Sequence, residues 1–195
     1  NKKFEKLSTK QVFKEIYDNK IWTPENDKKK HNYYSGFGSH KKSLTNNYIK
    51  AVNKFLTTFK LKPTIVELGC GDFKVSSLIV NKVKKFIAFD IHENLIKHNK
   101  KYYKKLKNVD FKVLDFTKNK PPSADICIVR CVLQHLSNKM IKNFLKNINN
   151  KFKYLIITEH CPSLKNYKAN KDIISGPGIR LYKNSGVDLS KTPFN

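Results

Sequence analysis

Arginine is almost missing from this sequence. Of its 195 residues 40 are Lys or Arg, and only Arg130 and Arg180 are arginine. Acids are also few, 15 in all, which leaves a net charge of +25. Such a field attracts polyanions, with nucleic acid first among them. Proteins that grip phosphates or read bases, however, tend to use the forked guanidinium. The chain is also rich in Asn, Ile, Tyr and Phe, which share AT-rich codons with Lys, so much of the charge reads as a solvated lysine surface. Gly and Pro, 7 each, exclude a collagen-like or linker-type chain. Cys70, Cys127, Cys131 and Cys161 form no C-x-x-C pair, and the histidines show no H-x-x-x-H spacing. A zinc ribbon or thioredoxin-type site is therefore unsupported, and no metal is expected. Three of the cysteines lie in or beside apolar runs, where Cys acts as a small hydrophobe, and the expected compartment is a reducing cytoplasm. No apolar run approaches the roughly 18 residues of a membrane span. No basic, apolar and small-residue leader opens the chain, and a start at Asn1 rather than Met leaves room for residues in front.

What is present is enough for a core: 39% of the residues are hydrophobic and 12% aromatic, and the length suits one domain or one domain with an appendage. Residues 8–20 place Ser8 and Gln11 at capping-box spacing and Val12, Phe13, Ile16 and Tyr17 on one face, which predicts an amphipathic helix. Residues 21–42 lack periodicity and read as a loop. Residues 43–60 have helical spacing. Five β-rich runs follow, at 64–70, 86–91, 110–116, 124–133 and 153–160, with helical stretches at 74–81, 93–105 and 139–149, the last with Ser137 as a candidate N-cap. This alternation, with nearly continuous apolar strands, predicts an α/β fold with a parallel sheet covered on both faces and right-handed crossovers. The expected organisation is N-terminal helices and loop over 1–60, an α/β core over 61–160 and a loop-like C-terminal segment over 161–195.

The sharpest motif is Glu67-Leu68-Gly69-Cys70-Gly71-Asp72, at the end of the first strand. Parallel sheets bind ligands at the carboxyl ends of their strands. Two glycines there allow a tight turn and close approach of a ligand to the backbone. No third glycine follows, so a dinucleotide site is not indicated. Asp90 ends the second strand, where a carboxylate can accept both hydroxyls of a ribose. Asp115 and Phe116 end the third run and together suit an adenine amino group and ring face.

In this ordered set the sequence resembles the class I S-adenosylmethionine-dependent methyltransferases: VELGCGD looks like their first motif, and FDI, LDF and IVRCVLQHL follow in the expected order. The resemblance covers about residues 60–160. It implies a Rossmann-like fold and S-adenosyl-L-methionine as cofactor, with S-adenosyl-L-homocysteine as product. Glu67, Gly69, Cys70 and Gly71 would surround its methionine and ribose part, Asp90 with Ile91 its ribose, and Asp115 and Phe116 its adenine; Arg130 would lie near its amino-acid end. A second likeness, carried by SGFGS at 35–39 and the tail NSGVDLSKTPFN, is to a bacterial subgroup that includes small-molecule and surface-polysaccharide (capsular) methyltransferases. It implies a loop closing over the cofactor through Ser35, Gly36, Gly38 and Ser39. The family's sheet has seven strands and five are counted here, so the tail, or chain past Asn195, is expected to cover the open edge.

Candidates for a catalytic base are His135, after the fourth strand, and Glu159 and His160, at the end of the fifth. His135 in its LQHL setting is equally well read as a structural histidine bonding backbone. The [DN]-P-P-[YFW] signature of N-methylation is absent after the fourth strand; Val129-Arg130-Cys131-Val132 stands there. The expected activity is O-methylation of a small anionic or sugar-linked acceptor, with surface-polysaccharide synthesis as its setting. Its rivals are an RNA methyltransferase and a cofactor-binding relic without turnover.

Overall fold

Ser8 begins the first long helix as its spacing predicts. Its Oγ accepts from Gln11 N–H, and the Gln11 side chain accepts from Ser8 N–H at 2.9 Å. The computed structural model describes residues 2–163 and 167–195. Its helices are α1 (Lys2–Glu5), α2 (Thr9–Asp18), α3 (Phe37–His40), α4 (Lys42–Leu56), α5 (Glu93–Tyr102) and α6 (Asn138–Ile148). Its strands are β1 (Thr64–Leu68), β2 (Lys85–Asp90), β3 (Val109–Val113), β4 (Ala124–Arg130) and β5 (Phe152–Thr158). No helix among the described residues is long and apolar enough to cross a membrane.

All strand pairs are parallel, in the order β3-β2-β1-β4-β5. The chain runs outward from β1 to β3, returns to the other side of β1, and continues with β4 and β5. The order therefore reverses between β1 and β4, and the crevice beyond their carboxyl ends is where such a sheet takes ligands. Side chains alternate strictly between the two faces. Val66 and Leu68 of β1, with Cys127 and Val129 of β4, meet Phe13 and Ile16 of α2 and Ile141 and Phe144 of α6. Ile65 of β1, with Ile126 and Ile128 of β4, meets Val52 and Leu56 of α4 and Ile96 of α5. Burying each such side chain contributes about 1.5–3 kcal/mol, so both faces must be covered for the sheet to persist.

Three local expectations change. The helix predicted over 74–81 is absent: the segment makes two 3₁₀ turns, Ser76–Leu78 and Val80–Lys82. Val75, Ile79 and Val80 are β-branched, the run is too short to nucleate easily, and Ser76 Oγ donates to Glu67 Oε1 at 2.6 Å. Residues 21–42 are not all loop, since they contain α3 and a 3₁₀ turn at Glu25–Asp27. The third strand stops at Val113, so Asp115 and Phe116 lie beyond it. There Asp115 Oδ1 accepts from Thr117 N–H and Oγ1–H at 3.1 and 2.6 Å, and this local turn replaces the ladder. Ser137 caps α6 as predicted, its Oγ accepting from Met140 N–H.

Candidate active site

A cleft opens at the reversal point. Its floor is the turn after β1. Gly69 and Gly71 both have positive φ, +79° and +54°, which an L side chain adopts only with strain. A Cβ on Gly69 would stand 2.6 Å from Val132 Cγ2, and one on Gly71 would stand 2.2 Å from Ser35 Oγ. Only hydrogen fits at either place. Gly71 N–H donates to Asp90 Oδ2 at 3.0 Å, and His92 N–H donates to Oδ1 at 3.1 Å. Asp90 thereby ties the turn to the end of β2, and its own burial raises its pKa.

Glu67, the penultimate residue of β1, is buried. Its Oε1 is satisfied by Ser76, but its buried Oε2 has no hydrogen-bond partner among the described residues. Loss of water around the carboxylate pushes its pKa up to about 8. Arg130, at the end of β4, donates from Nη2 to Gly38 O at 2.6 Å and from Nη1 to Ser39 Oγ at 3.1 Å, and its guanidinium lies 5.3 Å from the Tyr48 ring centre. It thus fastens the 35–39 segment to the sheet. The other end of that segment is fastened by Ser35, whose Oγ accepts from Asp72 N–H at 2.6 Å while its N–H donates to Asp72 Oδ2 at 3.0 Å.

Most of the predicted positions come together here. Ser35, Ser39, Glu67, Gly69, Cys70, Gly71, Asp90, Ile91, Asp115, Phe116 and Arg130 all line the cleft. Gly36 and Gly38 do not; Gly36 faces open space and Gly38 serves through its carbonyl.

The three candidate bases separate. His135 lines the cleft and is buried. Its Nδ1 is 3.2 Å from the carbonyls of both Gly176 and Gly178, which assigns the proton to Nδ1 and leaves the lone pair on Nε2. Burial drives its pKa down to about 4, so the ring is neutral at physiological pH. Glu159 does not face the rim as expected. Its Oε1 accepts from Val132 and Leu133 N–H at 3.0 and 2.8 Å, and its Oε2 from Gln134 N–H at 3.1 Å. Both oxygens are spent on the backbone of the 3₁₀ turn Leu133–His135, and burial raises the carboxyl to about 7. His160 also lies off the cleft lining, with Nδ1 2.9 Å from Gln134 Oε1.

Sequence reasoning missed two groups. Thr9, Phe13 and Tyr17 of α2 form a wall of the cleft beside Trp22, whose sequence setting suited a loop anchor somewhat better than a substrate contact. The helical stripe containing Phe13 and Tyr17 was visible, but periodicity does not distinguish a core face from a face that also borders a cleft. Arg180, 1% exposed, is the other. It donates to the carbonyls of Leu133, Leu136 and Lys171 and to Asn138 Oδ1. Its scarcity in a lysine-rich chain was the available signal, because a buried forked donor is the one task lysine cannot take over.

The profile of a family described as a methyltransferase domain matches residues 66–153. No curated protein matches the chain. Solved structures similar to it include the methyltransferase domain of bacterial CtHen1 (17% identity, 58% of this chain and 65% of that one, TM-score 0.51). An S-adenosylmethionine-dependent methyltransferase from Clostridium acetobutylicum is similar at 13% identity (58% and 49%, TM-score 0.51). Coclaurine N-methyltransferase bound to N-methylheliamine and S-adenosylhomocysteine is similar at 16% identity (66% and 40%, TM-score 0.52). The chain therefore spans less than two thirds of each of these structures. At these identities the likeness is one of fold, and that fold is Rossmann-like.

Proposed function

From the match of residues 66–153 to a methyltransferase domain we propose that the chain is a class I S-adenosylmethionine-dependent methyltransferase and transfers a methyl group from S-adenosylmethionine to an oxygen of a small acceptor. The cofactor supplies an activated methyl on a sulfonium. The observation that carries the reading is the unpartnered Glu67 Oε2, buried beside the glycine turn. A cationic amino-acid end seated there would satisfy it. Asp90 would take the ribose hydroxyls with lone pairs its two backbone donors leave free. Phe116 would cover the adenine, with Ile91 and Asp115 beside it.

Ser35, Gly36, Gly38 and Ser39 would act as a cover, held by Asp72 and Arg130. In this reading residues 1–60 cover the cofactor, 61–160 bind it and 161–195 shape the acceptor side. His135 Nε2 is the proton acceptor, since its neutral ring lines the cleft. A sugar-linked acceptor and a polysaccharide setting have only the likeness of SGFGS and the tail behind them, and no group lining the cleft adds to it. An anionic acceptor is less well supported: of the lining cations, Arg130 holds Gly38 and Ser39, and Lys74 Nζ is 3.0 Å from His40 Nδ1. The four unpaired cysteines support a reducing compartment.

Calorimetry with S-adenosylhomocysteine tests the cofactor site. At pH 7 a Glu67 with its pKa near 8 is mostly protonated. A bound ammonium draws that pKa down, so binding should release up to about one proton. The binding heat should then depend on the buffer's ionisation enthalpy, and Glu67→Gln should remove the dependence. No binding at all would end this reading.

A further inference from the structure

Once the cofactor's residues are assigned, one wall of the cleft is left over. It consists of Phe13 and Tyr17 on α2, Trp22 beyond that helix, and His135 with Leu136 after β4. Trp22 is the chain's single tryptophan. Its Nε1–H donates to Pro177 O at 3.1 Å, next to the Gly176 and Gly178 carbonyls that fix His135. One short run of backbone, 176–178, thus holds the indole and imidazole side by side, with centroids 4.8 Å apart. Tyr17 stands edge-on to Trp22 at 5.5 Å, and Phe13 is tilted against it at 6.1 Å. The indole N–H and the imidazole N–H are both consumed by backbone. What remains on this wall is aromatic surface and the His135 Nε2 lone pair, which Gln134 Nε2 approaches at 3.4 Å and which the acceptor's hydroxyl would take over from that amide. The cleft's carboxylates are Glu67, Asp72, Asp90 and Asp115, and its lysine and arginine are Lys74, after the glycine turn, and Arg130, at the end of β4; none is among the residues of this wall.

Resting on the methyl-transfer reading above, we infer that the acceptor is an uncharged planar molecule with a phenol-type hydroxyl, stacked on Trp22 with its oxygen beside His135 Nε2. A flat ring gains most from a flat wall, because offset or edge contacts between rings add about 0.5–1.5 kcal/mol beyond area burial. In the transfer, the phenol oxygen forms a bond to the methyl carbon as the carbon–sulfur bond breaks. The bonding pair stays on sulfur, which becomes a neutral thioether, and the hydroxyl proton passes to His135 Nε2. A phenol, which ionises near 10, gives up its proton far more readily than an alkanol and so asks less of a base.

The test uses the full chain saturated with S-adenosylhomocysteine and reads Trp22 emission, which reports on this wall alone. The probes are p-cresol, 4-methylcyclohexanol, glucose 1-phosphate and benzylamine. p-Cresol should shift the emission saturably and bind about tenfold more tightly than the non-planar alcohol. Trp22→Phe should keep p-cresol binding, read by saturation-transfer NMR, within about threefold, and Trp22→Leu should weaken it about tenfold, both with unchanged product affinity. With labelled S-adenosylmethionine, p-cresol should yield its methyl ether, and His135→Gln should lower that yield by about a hundredfold or more. A response to glucose 1-phosphate or benzylamine but not to p-cresol, p-cresol binding indifferent to Trp22→Leu, or no response to any probe would overturn the inference. Failure to bind S-adenosylhomocysteine would remove the methyltransferase reading itself and this inference with it.

Discussion

Two turns meet at the cleft and are held in opposite ways. The turn after β1, residues 69–72, owns its shape. Its glycines supply the positive φ angles, and its N–H groups reach the neighbouring strand end: Gly69 and Cys70 donate to Phe89 O at 2.8 Å each, and Gly71 donates to Asp90. The turn after β4, residues 131–136, has its shape imposed. Cys131 takes φ +55° without being glycine. The conformation is held by Glu159 on the N–H groups of Val132, Leu133 and Gln134, by Arg180 on the Leu133 and Leu136 carbonyls, and by Gly176 and Gly178 on His135. The Arg180 bond to Leu133 spans 47 residues of sequence. A turn that owns its shape shows in its own residues. A turn that is clamped shows only in its clamps.

The largest expected effect follows from breaking the clamp. Arg180→Met takes a donor away from the carbonyls of Leu133, Leu136 and Lys171 and from Asn138 Oδ1 and should cost about 3 kcal/mol or more in urea unfolding, since each buried acceptor left short of a partner costs about 1–3 kcal/mol. A loss under about 1 kcal/mol would show that the turn after β4 holds its own shape, like the other.

His135 gives the clamp a pH signature. Its pKa is depressed to about 4, from an ordinary 6.5. Its contribution is therefore full above pH 6.5 and is lost as pH falls through 4, about 3 kcal/mol in all. Glu159 has the opposite sign. Held up at about 7, it contributes fully below its ordinary 4.5 and loses that contribution as pH rises through 7. Melting curves of wild type and His135→Gln between pH 4 and 7 should converge toward the acid end; parallel curves would deny that His135 is buried in the neutral form.

The turn after β1 should respond in binding more than in stability. Asp90→Ala should weaken S-adenosylhomocysteine affinity by about 1.5–3 kcal/mol, and unchanged affinity with an intact fold would take Asp90 out of the ribose site. The smallest effect is expected at the cover. Ser35→Ala removes the acceptor for Asp72 N–H and should cost about 1 kcal/mol. It should also speed proteolytic cleavage within residues 21–42, and bound product should slow that cleavage in the wild type. Equal rates with and without product would count against a closing segment.

The same contrast explains what could be read from the chain. The strands were legible because a sheet buried on both faces demands nearly continuous apolar runs. The Ser8 and Ser137 caps were legible because capping is local. The 74–81 segment was misread because its apolar spacing resembles a helix, while the Ser76 hydroxyl is committed to Glu67, a partner on another element. Glu159 looked like a base because its position at the end of a strand is visible and its three backbone donors are not.

By itself the sequence determined the α/β alternation, the glycine turn and the acids at successive strand ends, since these depend on periodicity, steric freedom at glycine and short-range order along the chain. Only the tertiary structure decided that Glu159 and Arg180 serve the turn after β4, that His135 keeps its lone pair on Nε2, and that Trp22 stands beside it in the cleft. Each of those outcomes depends on which distant backbone groups would otherwise be left buried and unpaired, and that is settled only when the chain has packed.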